Sequence, residues 1–356
     1  MKAYNFSAGP AILPQEVFEE AAQAVLSFTD QGLSILEISH RSAEFSAVME
    51  EAQSLVRELI GVPDGYEVLF LQGGASTQFL TAPINLLSGE ETAGYVDTGS
   101  WSAKAIKEAK LYGKVSVLAS SKESNYTYIP KGYDVPSDLK YVHITSNNTI
   151  FGTQFKELPD TDIPFIADMS SEMFSKPVDI SRYGVIYAGA QKNMGPAGTT
   201  LVIVDKEFVG KPVRDVPTML NYNTHIAKSS MFNTPPTFAV YVSMLTLRWV
   251  KNQGGVQAIQ TKNKEKVSLI YNAIDESDMF TCPVPVEDRS DMNAVFLLKD
   301  ESLNEAFLTA ATEAGCSGVK GHRSVGGFRA SIYNAMPLAG VQTLVDVMSD
   351  FEAKHG

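Results

Sequence analysis

A doubly wound α/β architecture is the fold this chain predicts, and three observations predict it. Seven short apolar runs recur between residues 66 and 204, most of them apolar on both strand faces. Segments with helical apolar spacing alternate with several of these runs. Past about residue 240 the texture changes to long helical patterns interrupted by single strands. Strands apolar on both faces belong to a sheet covered by helices on each side, and strand–helix alternation makes such a sheet largely parallel. We therefore expect a large domain built on a mainly parallel seven-stranded sheet, followed by a smaller α+β C-terminal domain. The large domain is expected to span 15–254 and the small one 1–14 together with 255–356, joined at Gly254–Gly255.

Taken in order, PQEVFEEAAQAVLSF (Pro14 to Phe28) has helical spacing with Pro in the first turn and acids behind it. SAEFSAVMEEAQSLVRELIG is a second helix, with Ser42 as N-cap and Gly61 as its stop. The strands are YEVLFLQ, TAGYVD, KVSVLA, YVHITS, PFIADMS, GVIYAG and TTLVIV, with SAKAIKEAKLYG among the intervening helices. AVYVSMLTLRWVKNQGG and VQAIQTKNKEKVSLIYNAIDE read as long helices. A strand (NAVFLLKD), a helix (NEAFLTAATEAG), a strand (GFRASIY) and a final helix (GVQTLVDVMSDFEAKH) complete the chain.

The 356 residues carry 29 Lys and Arg against 41 Asp and Glu, a net charge of −12. An acidic surface argues against a duplex nucleic-acid binder, yet allows a local cationic site for a small anion. No apolar stretch approaches the ~18 residues of a membrane helix, and the start MKAYNFSAGPAILPQEVFEE lacks the apolar core of a secretory signal. Two cysteines, Cys282 and Cys316, make neither a disulfide framework nor a zinc site. A cytoplasmic protein without metal, membrane or nucleic-acid partner is expected.

In open parallel sheets ligands sit beyond the carboxyl ends of the strands. After the first strand come Gly73, Gly74, Ala75, Ser76 and Thr77, leading into a helix at Gln78, a setting whose free N–H groups and positive dipole end suit an anion. Trp101 follows the second strand among Gly and Ser, where stacking on a flat ligand is more natural than core packing. Asp168 ends the fifth strand, and alone it would read as a turn carboxylate. Lys192 follows the next strand, 24 positions on, in the small-residue segment GAQKNMGPAG. A desolvated lysine there favours its neutral amine, which suits imine formation. An amine, a carboxylate for a pyridine nitrogen, an anion loop and a stacking ring together are what pyridoxal phosphate requires.

The motifs FSAGPAILP, ISHRS, GGAS, YGVIYAGAQKNMGPAG, SMFNTPPTFA and KGHRSVGGFRASIYNAMPLAGV resemble those of the phosphoserine aminotransferase family, class V enzymes of the fold-type-I pyridoxal-phosphate group, over essentially the whole chain. The resemblance implies that Lys192 forms the imine with the cofactor, Asp168 pairs with its pyridinium nitrogen, Trp101 stacks on its ring, and Thr149 binds near its phenolic oxygen. It implies that Ala75, Ser76 and Gln191 bind the phosphate, and that Asn233 and Thr234 reach that phosphate from the partner chain of a homodimer with its sites at the interface. Where some members have GGGRG in the phosphate loop, this chain has GGAST, with one basic side chain fewer.

Two cationic subsites are implied for the substrate. Arg329 would take the α-carboxylate, and His40 with Arg41, and His322 with Arg323, the distal phosphate or carboxylate. Ser7 of FSAGP would add a polar contact. The implied reaction is a ping-pong transfer of the amino group of L-glutamate to 3-phosphohydroxypyruvate, giving O-phospho-L-serine and 2-oxoglutarate for serine synthesis, with 4-phosphohydroxy-L-threonine in pyridoxine synthesis as a further product. Within the same fold a cysteine desulfurase or an alanine–glyoxylate aminotransferase would share the Asp and Lys. The first needs a reactive thiolate on a flexible loop, whereas Cys316 follows a helical pattern and Cys282 abuts Pro283. The second has no use for a distal cationic subsite. A non-catalytic anion-binding module is opposed by the intact lysine, and a regulator fused to a DNA-binding unit by the missing basic N-terminal domain.

Overall fold

The chain opens with a two-residue strand, β1 (Tyr4–Asn5), and two helices, α1 (Gln15–Leu26) and α2 (Ala43–Ile60). The computed structural model describes residues 3–30 and 32–356; Met1 and Lys2 of the expected small domain lie outside them. Ser42 caps α2 by accepting from the Phe45 amide at 3.3 Å, and Gly61 ends it in the left-handed region at φ +64°. Both are the local devices that short polar side chains and glycine supply.

The seven apolar runs form one sheet. Its strands are β2 (Tyr66–Leu71), β3 (Thr92–Asp97), β4 (Lys114–Ser120), β5 (Val142–Thr145), β8 (Phe165–Asp168), β9 (Tyr183–Gly189) and β10 (Thr200–Asp205); a two-stranded ribbon, β6 (Asn147–Asn148) and β7 (Thr153–Gln154), intervenes. The spatial order is β2-β10-β9-β8-β5-β3-β4. Only β10 runs antiparallel to its neighbours, so the sheet is mainly parallel as its sequence predicts. In this register Asp168 stands between Thr145 of β5 and Tyr187 of β9.

Helices α3 (Gly74–Leu86) and α4 (Ser100–Ala109) cover one face of the sheet, with Phe79, Tyr95, Ala105, Tyr141 and Val202 in the core between. The short helices α5 (Lys206–Val209) and α6 (Tyr222–Ile226) follow β10. Together with α1 and α2, α7 (Thr237–Asn252) covers the other face, through residues such as Phe45, Val56, Ile144, Phe165 and Leu247. Residues of α7 are buried nearly all round, which accounts for its lack of a polar stripe.

A second core lies among α8 (Gly255–Asp275), β11 (Phe280–Thr281), β12 (Asn293–Leu298), α9 (Asn304–Glu313), β13 (Cys316–Ser317), β14 (Phe328–Ser331) and α10 (Leu338–His355). Phe280, Phe296, Phe307, Phe328 and Phe351 meet there, several edge to face, the geometry that aromatic quadrupoles favour. Two features tie this unit to the sheet. β1 pairs with β13, placing Phe6 in the second core. α8 buries Val256 and Ile259 with the sheet and Val267 and Ile270 with the second unit.

Two local details depart from expectation. The helix after β2 begins at Gly74, not Gln78, because Gly73 at φ +96° turns the chain directly from strand to helix. Ala75 and Ser76 therefore lie in a first helical turn. Trp101 likewise lies in the first turn of α4 instead of a loop.

Candidate active site

The carboxyl ends of β2, β3, β5, β8 and β9 converge on a cavity of about 140 Å³, lined by Ala75, Ser76, Trp101, Thr149, Asp168, Gln191 and Lys192, together with Gly74, Thr145, Asn147, Ser170 and Ser171. The first seven are site residues expected from sequence. The sequence reading missed Thr145, Asn147, Ser170 and Ser171. Ser170 had a visible signal, since a Ser two places after a strand-end Asp is the pattern of a turn in which the carboxylate collects local donors.

Asp168 is 5 % exposed. Its Oδ1 accepts from Ser170 Oγ at 2.6 Å and from the Ser170 amide at 3.0 Å. Burial raises its pKa, while Ser170 and the charge of Lys192 pull it back. On the next strand end, Lys192 Nζ donates to Thr149 Oγ1 at 2.7 Å. Burial pushes this amine down to about 8, against the pull of Asp168 and with the help of Arg329. Loss of water penalises the ammonium more than the nearby carboxylate rewards it.

At the mouth, Gly73 is required: a Cβ there would lie 2.1 Å from Thr77 Oγ1, and that hydroxyl is anchored on the Gly73 carbonyl at 2.8 Å. The tight turn starts the thirteen-residue α3 at Gly74, so its first residues, Gly74, Ala75 and Ser76, line the cavity, where a helix's first amides lack intrahelical partners. Trp101 presents its indole beside them, with Lys104 Nζ 4.3 Å from the ring centroid and its own Nε1 buried without a partner.

Arg329, on β14, lends Nη1 to the Thr149 carbonyl at 3.4 Å and keeps Nε buried and unpaired. Burial lowers its pKa. His322 sits within the field of Arg329, Arg323 and Lys104, which together with burial lower its own pKa. Among the described residues Arg329, Arg323 and Lys104 make no ion pair with a carboxylate, and His322 beside them is held toward its neutral form. In a chain of net charge −12, such a group of positive side chains gives a local field that favours a small anion.

The N-terminal segment lies alongside. The Ala11 amide donates to the Gln191 carbonyl at 2.9 Å, and a Cβ on Gly9 would touch Gln191 and Lys192. Ser7 packs instead on Gly318, whose Cβ would fall 2.3 Å from Ser7 Oγ.

Eight expected residues do not line this cavity within one chain: Ser7, His322, Arg323 and Arg329, described above, and the pairs His40–Arg41 and Asn233–Thr234. His40 is buried with Nε2 unpaired in the turn before α2, and Arg41 is exposed; neither lines the cavity. Asn233 borders a separate cavity of about 210 Å³ behind Gln72, Gly73 and Thr77. Neighbouring Thr234 is exposed, and its carbonyl accepts from Gln72 Nε2 at 2.6 Å.

Comparison with known proteins places this geometry. The family model "Aminotransferase class-V" matches residues 3–344. A phosphoserine aminotransferase of Flavobacterium johnsoniae is 58% identical over 355 residues, covering 99% of this chain and 100% of that protein. The structure of the phosphoserine aminotransferase from Bacillus circulans subsp. alkalophilus superposes with a TM-score of 0.97 at 48% identity, over 100% of this chain and 99% of that one. The pyridoxal-phosphate-bound phosphoserine aminotransferase of Trichomonas vaginalis gives a TM-score of 0.93 at 36% identity, over 98% and 100%. The fold, the strand-end Asp and Lys and these full-length matches agree: the chain belongs to the class-V aminotransferases.

Proposed function

We propose that this chain, with pyridoxal phosphate, transfers the amino group of L-glutamate reversibly to 3-phosphohydroxypyruvate, giving O-phospho-L-serine and 2-oxoglutarate. The observation that carries the reading is the cavity in which Asp168 and Lys192 face one volume, between a helix N-terminus and unpaired cations. The donor set fits the cofactor: a carboxylate for a ring N–H, an amine for an aldehyde, amides for a phosphate, and an indole whose Nε1 lacks a protein partner. When bound, pyridoxal phosphate supplies an aldehyde and a ring that accepts electrons from the substrate Cα.

The chain's own residues do the rest. Both Ser170 bonds go to Oδ1 of Asp168, so Oδ2 would be free to hold a proton on the ring nitrogen. Ala75, Ser76 and Gln191, with the first amides of α3, would hold the phosphate. Thr149 orients the Lys192 amine, whose neutral form burial favours. Placed beside the substrate Cα, that amine would take its proton as a base and could return it as an acid. Arg329, held on a rigid strand, clamps the α-carboxylate, and His322 and Arg323 receive the distal anion.

A homodimer completes the reading. Arg329 bonds Thr149 and acts on Lys192, and His322 lies in its field. Among the described residues nothing links His40, Arg41, Asn233 or Thr234 to their own chain's cavity, so we assign these four to the cavity of a second copy. The two cores support a large cofactor-binding domain (15–254) and a small one (1–14 with 255–356). No helix among the described residues is long and apolar enough to cross a membrane, which is compatible with a cytoplasmic enzyme. Against the desulfurase reading, burial raises both thiols, Cys316 to about 11, so neither is a ready thiolate.

The test is a coupled assay of purified holoenzyme with L-glutamate and 3-phosphohydroxypyruvate. Formation of 2-oxoglutarate is expected, and Lys192→Ala is expected to lower turnover by about 10³-fold or more while leaving the circular-dichroism spectrum unchanged. Equal efficiency with unphosphorylated hydroxypyruvate would refute the distal anion subsite.

A further inference from the structure

One buried cation has no place in the chemistry above. Lys266 lies on α8 with 2 % exposure. Its Nζ donates to the carbonyls of Tyr333 at 2.8 Å, Ile332 at 3.1 Å and Asn334 at 3.5 Å. Burial lowers its pKa to about 7, Lys262 adds to the fall, and no acid opposes it. A methionine would fill similar space without desolvating an amine, so the three donors are there for the three carbonyls they meet.

Those carbonyls belong to the turn that follows the strand bearing Arg329, and the same turn reaches the site at two further points. Tyr333 donates to the Ala8 carbonyl at 2.8 Å and accepts from Asn293 Nδ2 at 3.3 Å. The Asn334 amide donates to Asn193 Oδ1 at 3.0 Å, next to Lys192. Asn334 also bonds the Phe174 carbonyl and, from the Lys266 helix itself, Asn263. One lysine side chain thus fixes a turn shared by the Arg329 strand, the N-terminal segment and the residue beside Lys192. Small misplacements at such a joint weaken catalysis steeply.

We propose that Lys266 is a positioning residue: by gripping the carbonyls of residues 332–334 it sets the spacing between the Arg329 guanidinium and the Lys192 amine that an α-amino acid must bridge. This rests on the assignment of the site as an amino-acid clamp. It is tested in the holoenzyme with Lys266→Met, Lys266→Arg and, as a control lowering stability on the same helix, Val267→Ala. In Lys266→Met the KM for L-glutamate rises about tenfold or more, kcat falls less than KM rises, and the affinity for pyridoxal phosphate, followed by cofactor fluorescence, stays within about twofold. Lys266→Arg recovers most of the loss, and Val267→Ala, matched for melting temperature, leaves KM unchanged.

The proposal is overturned if Lys266→Met keeps the parent KM, if Val267→Ala raises KM equally, or if cofactor affinity falls in step with KM. Should Lys266→Met not fold, Lys266→Gln decides, because it keeps two donors: a KM raised about threefold or more supports the assignment and an unchanged KM overturns it. A parent enzyme inactive with glutamate would sink the reading of the site itself, whereas an active parent with indifferent variants would sink only this one.

Discussion

At Lys192 the surroundings set both reactivity and a stability cost that can be measured. An unfolded lysine titrates at about 10.4, whereas this amine is held near about 8. Between those values the unfolded chain binds a proton that the folded chain has lost, so stability rises with pH across that window. Below it the folded protein carries a disfavoured ammonium. Lys192→Met is therefore expected to stabilise the cofactor-free protein by about 1–3 kcal/mol at pH 7, with the gain fading by pH 10 in urea melts. Asp168→Asn keeps the shape but surrenders the charge that would hold the ring proton; turnover is expected to fall about 10²–10³-fold. Arg329→Ala removes a charge-assisted pair and is expected to raise KM for glutamate and for phosphoserine alike, by about 10- to 100-fold.

Among the elements, the N-terminal segment depends on a close approach. Gly318 sits at φ +78°, and a Cβ there would lie 2.8 Å from the Ser7 backbone nitrogen as well as against its hydroxyl. Gly318→Ala is expected to cost about 1–3 kcal/mol. Because the segment runs on to the Gln191 carbonyl, the same change is expected to raise KM for both substrates; a lower melting temperature with unaltered KM would show that the segment does not steer the site. Ser42→Ala offers a contrast. It removes only the cap of α2, so a loss of about 1 kcal/mol without a change in KM is expected.

For the whole molecule the testable property is the completeness of one chain. The cavity is lined by Lys192 but by neither Arg41 nor Asn233, and the shared site proposed above would make complementation quantitative. Lys192→Ala and Arg41→Ala chains, co-expressed and assorting at random, would form mixed dimers with one intact site each. Activity toward the phosphorylated oxo acid is then expected to recover to about a quarter of the parent's. If Arg41 serves its own chain, the mixture stays at the level of its components.

Much of this was legible before any tertiary information. The seven strands, the caps of α2 and the pairing of a strand-end Asp with a strand-end Lys are written in short-range patterns, because the period of side chains along a strand or helix is set by backbone sterics within a few residues. The start of α3 was misplaced for the same local reason: the left-handed turn at Gly73 is a choice that glycine permits but does not announce. Other features arose only when distant segments met. Arg329 touches Thr149, Tyr333 reaches Ala8, and Lys266 holds the turn at 332–334. The lowered pKa of Lys192 belongs with them. Periodicity reports how each segment exposes its own side chains, whereas desolvation and long-range hydrogen bonds depend on which other segment arrives to exclude the water.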